Sequence, residues 1–417
     1  MSYISIHGGR VLEGKVNVQG AKNSILPILA ACLLCHQPCT IHRCPKISDV
    51  SACVRILRHL GCVVTWNEHS LTVDPRGLCC TQIPDELMSE MRSSIVFLGA
   101  LLARCGETAL SFPGGCELGP RPIDLHLSAL TQLGAVVQEE GGVLQCRADK
   151  LSGCEIVLPI PSVGATENIM IAATAAKGTT VIRNAAREPE IVDLACFLNR
   201  CGAKIYGCGE GTVQIEGTGP LFGCEHTVIP DRIVAATYMA AIAVSGGKGE
   251  LSPVIPQHVS PVLPFFRQSG CTADFKGNRL LIKAPKRLRS MQHIVTGYFP
   301  GFPTDAQPAL MAMAAVADGT GIFIENIFEN RYNHVHDLTR MGAKIKAEGR
   351  MAVVEGVPTL SGCRVRACDL RGGAALVVAG LAAAGEMQVH NVGYIQRGHQ
   401  DIVADLAKLG ADIKTIR

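Results

Sequence analysis

The chain has 417 residues, 47% of them hydrophobic and 18% charged, with 39 Lys and Arg against 36 Asp and Glu for a formal net charge of +3. That length exceeds what one core usually serves, so two domains are expected; the near-neutral balance excludes a polycationic nucleic-acid or membrane-surface protein. The apolar stretches 169–176 and 235–244 stop well short of a membrane span, and the opening MSYISIHGGR lacks a secretory layout, so the expectation is a cytoplasmic chain with 19 reduced cysteines.

Taken in chain order, the predicted elements repeat. Opening strands in YISIHGGRVLEGKVNVQG lead into a small-residue helix at GAKN, and similar helix starts follow roughly 70 residues apart at Arg92, Ser162, Asp231, Asp305 and Arg371, with Lys22 marking the first. Pro, Ser, Thr and Asp near these starts are helix N-terminal signals. Ala and Gly on all sides of the helices predict that they are buried, with sheets around them. Half a unit after each start, a helix ends in Gly and a strand follows: LRHLGCVV, LTQLGAVV, LNRCGAKI, FRQSGCTA, LTRMGAKI and LAKLGADI. Their glycines, Gly61, Gly134, Gly202, Gly270, Gly342 and Gly410, are expected as left-handed caps. The strand then turns back through a polar tip, as at 139–142 or 348–350.

The chain stops in mid-unit after Gly410, and its opening segment resembles the missing continuation, VLQCRADKLSGCEIVLP. The N-terminal strands are therefore expected to complete the sixth unit. Residues 22–229 then form one three-unit domain, and residues 1–21 with 230–417 the other. Two crossings between them predict a hinge around a closing cleft.

Residues able to do chemistry gather at the helix starts and the adjoining loops. Lys22, Arg92, Arg232 and Arg371 stand at starts; Arg121, Arg331 and Arg397 stand in ELGPRPIDLH, FENRYNHV and YIQRGHQ. Guanidinium forks beside helix N-termini suit a multiply anionic substrate. Any one of them taken alone reads better as a solvated surface charge; repetition at equivalent positions favours the ligand. In SFPGGCELGPRP, Cys116 follows two glycines and precedes Arg121, a setting that favours thiolate and acid–base or nucleophilic work on a mobile loop. Asp305 in GFPTDAQPA reads either as a helix cap or as a general base facing the anion site. CLLCH at 32–36, with Cys39 and Cys44 after it, has the form of a haem-attachment or metal motif. It closes the first buried helix, so it is read as packing. GCGEG at 207–211 falls between two strands and is read as a hairpin tip.

These residues identify a resemblance. GAKN (20–23), MRSS (91–94), PGGCELGPRPIDLH (113–126), PSVGATENIM (161–170), AAREPEIVDLA (185–195), PDRI (230–233), FPTD (302–305), FENR (328–331), DLR (369–371) and RG (397–398) run in the order and spacing of the UDP-N-acetylglucosamine 1-carboxyvinyltransferases. The whole chain resembles this enolpyruvyl transferase family. The resemblance implies an inside-out α/β barrel in two three-repeat domains, and transfer of enolpyruvyl from phosphoenolpyruvate to the 3′-hydroxyl of UDP-N-acetylglucosamine with release of phosphate, the first committed step of peptidoglycan synthesis. It further implies Cys116 as the lid thiol that protonates the methylene carbon and is alkylated by fosfomycin, and Asp305 as the base. Lys22, Arg121 and Arg397 are implied as the grip on phosphoenolpyruvate, with Arg331 and Arg371 nearby. Asn23, Arg92, Arg121, Pro122, Ile123, Asp124, Leu125, Ser162, Val163, Gly164, Asp305 and Ile327 are implied as contacts to the nucleotide sugar. No metal or organic cofactor, nucleic acid or membrane is implied, and a monomer is favoured. The chain departs from the family pattern at Gln396 and His399 around Arg397, and at Gly372-Gly373 after Arg371, changes expected to loosen both arginines. The alternatives are a 3-phosphoshikimate 1-carboxyvinyltransferase, which lacks the GGC and PSVGATEN segments, and a weakly active paralogue with a binding or regulatory role.

Overall fold

The computed structural model describes residues 2–114, 118 and 123–416. Cys116, Arg121 and Pro122 lie outside the described residues. Two compact units emerge: one takes the chain up to Gln19 and from Pro230 onward, with Leu118, and the other takes the remainder between Gly20 and Ile229.

Each unit is built on three central helices. These are α1 (Lys22–Ala31), α2 (Phe97–Cys105) and α3 (Val163–Ala173) in the unit that begins at Gly20, and α4 (Arg232–Val244), α5 (Gln307–Ala315) and α6 (Leu370–Leu381) in the other. Every residue of α5 and α6 is buried, as is α4 from Ile233 to Ala243. A helix enclosed on every side needs small side chains so that its neighbours can approach, which explains the Ala- and Gly-rich composition. Two helix starts form tighter 3₁₀ turns first, Arg92–Val96 before α2 and Thr304–Ala306 before α5. In the former, Ser94 Oγ donates to the carbonyls of Met88 and Met91, competing with regular helix bonding.

Among the described residues, six four-stranded sheets share one plan, a parallel pair at one edge followed by two antiparallel pairings. In the first, Glu225–Thr227 runs parallel to Cys39–His42, which pairs with Ser70–Asp74, which pairs with Val63–Asn67. The sixth is completed from the N-terminus: Tyr3–His7 lies between Glu386–His390 and Asp412–Ile416, with Ile4 opposite both Val389 and Thr415. The second opening strand corrects the expectation. Glu13–Asn17 leaves the sixth unit and pairs in parallel with Lys248–Ser252 of the fourth. The same hand-over links the other units; Val143–Arg147 stays in its own sheet while Glu155–Val157 pairs with Thr179–Arg183 of the next. In each unit the three sheets are thus linked in a cycle, an arrangement consistent with the inside-out α/β fold.

The six cap glycines all adopt left-handed backbone, with φ of +100° at Gly61, +104° at Gly134, +101° at Gly202, +92° at Gly270 and Gly342, and +94° at Gly410. A side chain there would be strained, so each glycine marks where the chain leaves a helix for a strand. Residues 207–211 form the tip between the antiparallel strands Lys204–Tyr206 and Thr212–Glu216. No helix among the described residues is long and apolar enough to cross a membrane, and none of the described cysteines is in a disulfide.

Candidate active site

In the unit containing α4–α6, three of the expected site residues form one cluster. Asp305 lies in the 3₁₀ turn leading into α5. Its Oδ1 accepts from Arg331 Nη2 at 2.5 Å, and its Oδ2 accepts from Arg371 Nε and Nη2 at 3.1 and 3.0 Å. The side chains of Arg331 and Arg371 are 1% and 5% exposed, and that of Asp305 is 25% exposed. The carboxylate is therefore the part of the cluster that meets solvent, backed by two buried guanidinium forks. Arg331 Nε donates to Thr304 Oγ1 at 3.1 Å, and that hydroxyl donates to Glu325 Oε2 at 3.0 Å. Glu325 Oε1 in turn accepts from the amides of Ile327 and Phe328, fixing the loop that carries Ile327. Arg331, expected near the anion, is buried and bonds both Asp305 and Thr304. Arg371 Nη1 is buried and has no hydrogen-bond partner, so this guanidinium has bonding capacity left.

The Gly372-Gly373 departure leaves Arg371 held rather than loosened. Asp369 caps α6, its Oδ1 accepting from the amides of Arg371 and Gly372 at 2.9 and 3.0 Å. A side chain at 372 would meet His334 Cβ at 3.0 Å, and one at 373 would meet Ile395 Cγ1 at 2.8 Å. The two glycines let His334 and the helix Val392–Gln396 close onto α6. Arg397 caps that helix and is half-buried. Gln19 ties down the segment after it: its Nε2 donates to the carbonyl of Gly398 at 3.0 Å and its Oε1 accepts from the Gln400 amide at 2.8 Å. Gln19 was not singled out in the sequence, where it is one polar residue at a strand end.

His399, the other departure, is fully buried beside Tyr238, their ring centroids 6.1 Å apart. Burial, with Arg371 nearby, lowers its imidazole to about 3. Burial likewise lowers His334 to about 4, with Asp369 opposing and Arg331 assisting the shift. None of the four ring nitrogens has a hydrogen-bond partner. Both rings titrate near 6.5 when unfolded, so the unfolded chain binds more protons as the pH drops below that value, and stability falls with it. Between about pH 7.5 and about pH 5 the expected loss is about 2 kcal/mol per histidine, read as a falling urea midpoint; a flat profile would contradict the buried, neutral assignment.

In the other unit, Lys22 opens α1 and its Nζ lies 2.7 Å from Asp49 Oδ2, with both groups largely buried. Asp49, in the first turn of the helix Ser48–His59, was missed because an acid there reads as a helix-start signal. Asn23 is half-buried beside Lys22, and Ser24 Oγ bonds Asp193, which also holds His226 Nε2 at 2.9 Å. Arg92 Nη1 donates to the carbonyl of Pro113 at 3.0 Å, three residues before Cys116 in the sequence. Ser162 caps α3 by accepting from the Ala165 amide, and Val163 and Gly164 follow in its first turn. Gly164 leaves room for the ring of His126, whose Nδ1 lies 2.7 Å from Asn168 Nδ2. That contact ties α3 to the helix Asp124–Gln132, at whose start Ile123 is buried and Asp124 exposed, with Leu125 half-buried. Glu167, Glu188 and Glu190 gather in the interior, and burial with the other two acids nearby raises Glu167 well above the usual carboxylate range. In the sequence Glu188 and Glu190 stand out only as part of AAREPEIVDLA.

A family profile described as EPSP synthase (3-phosphoshikimate 1-carboxyvinyltransferase) matches residues 6–406. UDP-N-acetylglucosamine 1-carboxyvinyltransferase 2 of Caldanaerobacter subterraneus subsp. tengcongensis is 47% identical over 416 residues, 100% of both chains. UDP-N-acetylglucosamine 1-carboxyvinyltransferase 1 of Symbiobacterium thermophilum is 48% identical over 417 residues, covering 99% of this chain and 94% of the relative. Among solved structures, the enolpyruvyl transferase NikO from Streptomyces tendae superposes with a TM-score of 0.90 at 26% identity, covering 99% of this chain and 98% of its own. EPSP synthase from Acinetobacter baumannii covers 100% of each chain with a TM-score of 0.75 at 18% identity, a likeness of fold alone.

Proposed function

We propose, from the premise that this chain belongs to the UDP-N-acetylglucosamine 1-carboxyvinyltransferase family of enolpyruvyl transferases, that it transfers enolpyruvyl from phosphoenolpyruvate to the 3′-hydroxyl of UDP-N-acetylglucosamine in peptidoglycan synthesis. The observation that carries this reading is Asp305, a partly exposed carboxylate held between the buried forks of Arg331 and Arg371.

The chemistry follows as an addition and an elimination. The sugar oxygen adds to C2 of phosphoenolpyruvate, its proton passing to Asp305, while the Cys116 thiol protonates C3. The C2–O bond to phosphate then breaks, phosphate leaves with the bonding pair, and C3 gives up a proton to restore the double bond. Both Asp305 oxygens already accept from guanidinium groups, so a fork must move before the carboxylate takes a substrate proton. Arg371 is assigned that move: its spare Nη1 donors turn to the substrate anion as Nε and Nη2 release Asp305, while Arg331 stays to orient the carboxylate. Lys22, Arg121 and Arg397 hold the phosphate and carboxylate, and fixed cations there stabilise charge on the departing phosphate. Asn23, Arg92, the 121–125 and 162–164 segments and Ile327 contact the nucleotide sugar. The enzyme works in the cytoplasm as a monomer on soluble substrates.

The test is phosphate release from phosphoenolpyruvate with either UDP-N-acetylglucosamine or shikimate 3-phosphate as acceptor. Release with the nucleotide sugar alone supports the reading; release with shikimate 3-phosphate alone, or with neither, overturns it, the latter in favour of a binding or regulatory paralogue. Cys116→Ser is expected to abolish covalent labelling by fosfomycin, whose epoxide needs a thiolate, as read by intact mass. Undiminished labelling would mean that another of the 19 cysteines is the target.

A further inference from the structure

The CLLCH segment, read from sequence as helix packing, is joined in the structure by thiols from far along the chain. Sγ atoms of Cys35, Cys39 and Cys201 all lie within 4.8 Å of one another, and all three residues are buried. Cys201 Sγ is 3.3 Å from Cys224 Sγ, and Cys32 lies beside Cys39 as a further bonding partner. The five come from separate places in one unit: the 3₁₀ turn Cys32–Leu34 and the residue after it, the start of the strand Cys39–His42, the end of the helix Pro189–Arg200, and the residue before the strand Glu225–Thr227.

Backbone bonds hold these segments in place. The His36 amide donates to the carbonyl of Leu221 at 2.9 Å, Phe222 to that of Cys201 at 2.8 Å, and Thr40 to that of Cys224 at 2.9 Å. Simple packing does not call for sulfur here. Ten residues past each helix-start marker, the other five units carry Leu102, Ala172, Ala241, Ala315 and Leu381 where the first has Cys32. Before the cap glycine they carry Leu60, Leu133, Ser269, Met341 and Leu409 where the third has Cys201. Cys35 has a counterpart in Cys105, and Cys224 has counterparts in Cys154 and Cys363, but Cys39 and Cys201 have none, and among the described residues it is only where the first and third units meet that three thiols come together.

We propose that Cys35, Cys39, Cys201 and Cys224 form a binding site for one soft, tetrahedral metal ion of the Zn²⁺ type. Thiolates about 2.3 Å from such an ion stand roughly 3.8 Å from one another, within the limit observed for Cys35, Cys39 and Cys201; Cys224 touches Cys201 but lies outside that group, so its side chain must turn inward to complete the tetrahedron. Cys224, half-buried, is the fourth ligand and the side from which the ion enters. Binding releases the thiol protons to solvent and ties the end of α1 to the end of the helix Pro189–Arg200, a structural role remote from enolpyruvyl transfer.

The test titrates the fully reduced full-length chain with Co²⁺, whose spectrum reports thiolate ligation and tetrahedral geometry, and follows the thermal midpoint with and without a chelator. One equivalent of Co²⁺ is expected to give thiolate charge-transfer and tetrahedral ligand-field bands that Zn²⁺ removes, and the chelator is expected to lower the midpoint of zinc-loaded protein. Both effects should vanish in the Cys35→Ser/Cys39→Ser/Cys201→Ser variant. Absence of the bands in the reduced wild type, their persistence in the triple variant, or a Cys201–Cys224 disulfide in the unreduced chain with a chelator-insensitive midpoint would each overturn the proposal. If the triple variant does not fold, Cys224→Ser serves instead: it should weaken Co²⁺ binding by at least the roughly 100-fold that loss of a supporting partner can cost, and unchanged affinity counts against the site.

Discussion

Asp305→Asn is expected to lower the turnover of enolpyruvyl transfer by roughly 10²–10⁴-fold, the usual worth of a positioned general base, while the KM for phosphoenolpyruvate changes far less. The asparagine keeps the size of the carboxylate and an acceptor for Arg331, so packing around the 3₁₀ turn Thr304–Ala306 is preserved. What it loses is the ability to take the sugar proton and the charge that recruits Arg371. The measurement is steady-state phosphate release at varied phosphoenolpyruvate and saturating UDP-N-acetylglucosamine. A fall of less than about tenfold would place the proton acceptor elsewhere.

The second large effect is on stability. Arg331→Ala removes a guanidinium whose side chain is 1% exposed and which donates to both Asp305 and Thr304. Breaking a buried pair by deleting one partner costs about 3–5 kcal/mol, because the other charge is left without compensation. Asp305 keeps Arg371 and some solvent, which puts the expectation at the lower end, about 3 kcal/mol by urea unfolding. Arg331→Lys restores the charge but not the fork, so it should recover part of the stability and little of the activity. A loss below about 1 kcal/mol for the alanine variant would mean that the pair behaves as a surface contact.

The sixfold plan was legible because it is written in local chemistry. A left-handed backbone at the end of a helix selects glycine, and enclosure of a helix selects Ala and Gly; both leave a mark on the sequence without reference to distant residues. Strand hand-over is not local. Glu13–Asn17 looks like the continuation of the sixth unit, and only its pairing with Lys248–Ser252 shows that it completes the fourth. The candidate site divides the same way. Asp305, Arg371 and Lys22 could be picked out because they mark helix starts, whereas their partners could not. Asp49 imitates a helix-start acid, Gln19 imitates an ordinary strand end, and the burial of Arg331 depends on Asp305 and Thr304, more than twenty-five residues earlier in the chain. The proposed metal site was not legible for the same reason: Cys201 and Cys224 are brought to CLLCH by the fold.

The most direct measurement is the structure of the product formed when the full-length chain is incubated with phosphoenolpyruvate and UDP-N-acetylglucosamine. Proton NMR is expected to show a vinyl pair on an ether joined to the 3′-oxygen of the sugar, with one phosphate released per molecule formed. Unchanged UDP-N-acetylglucosamine after prolonged incubation with active-site residues intact, or an enolpyruvyl group on a different oxygen, would contradict the account.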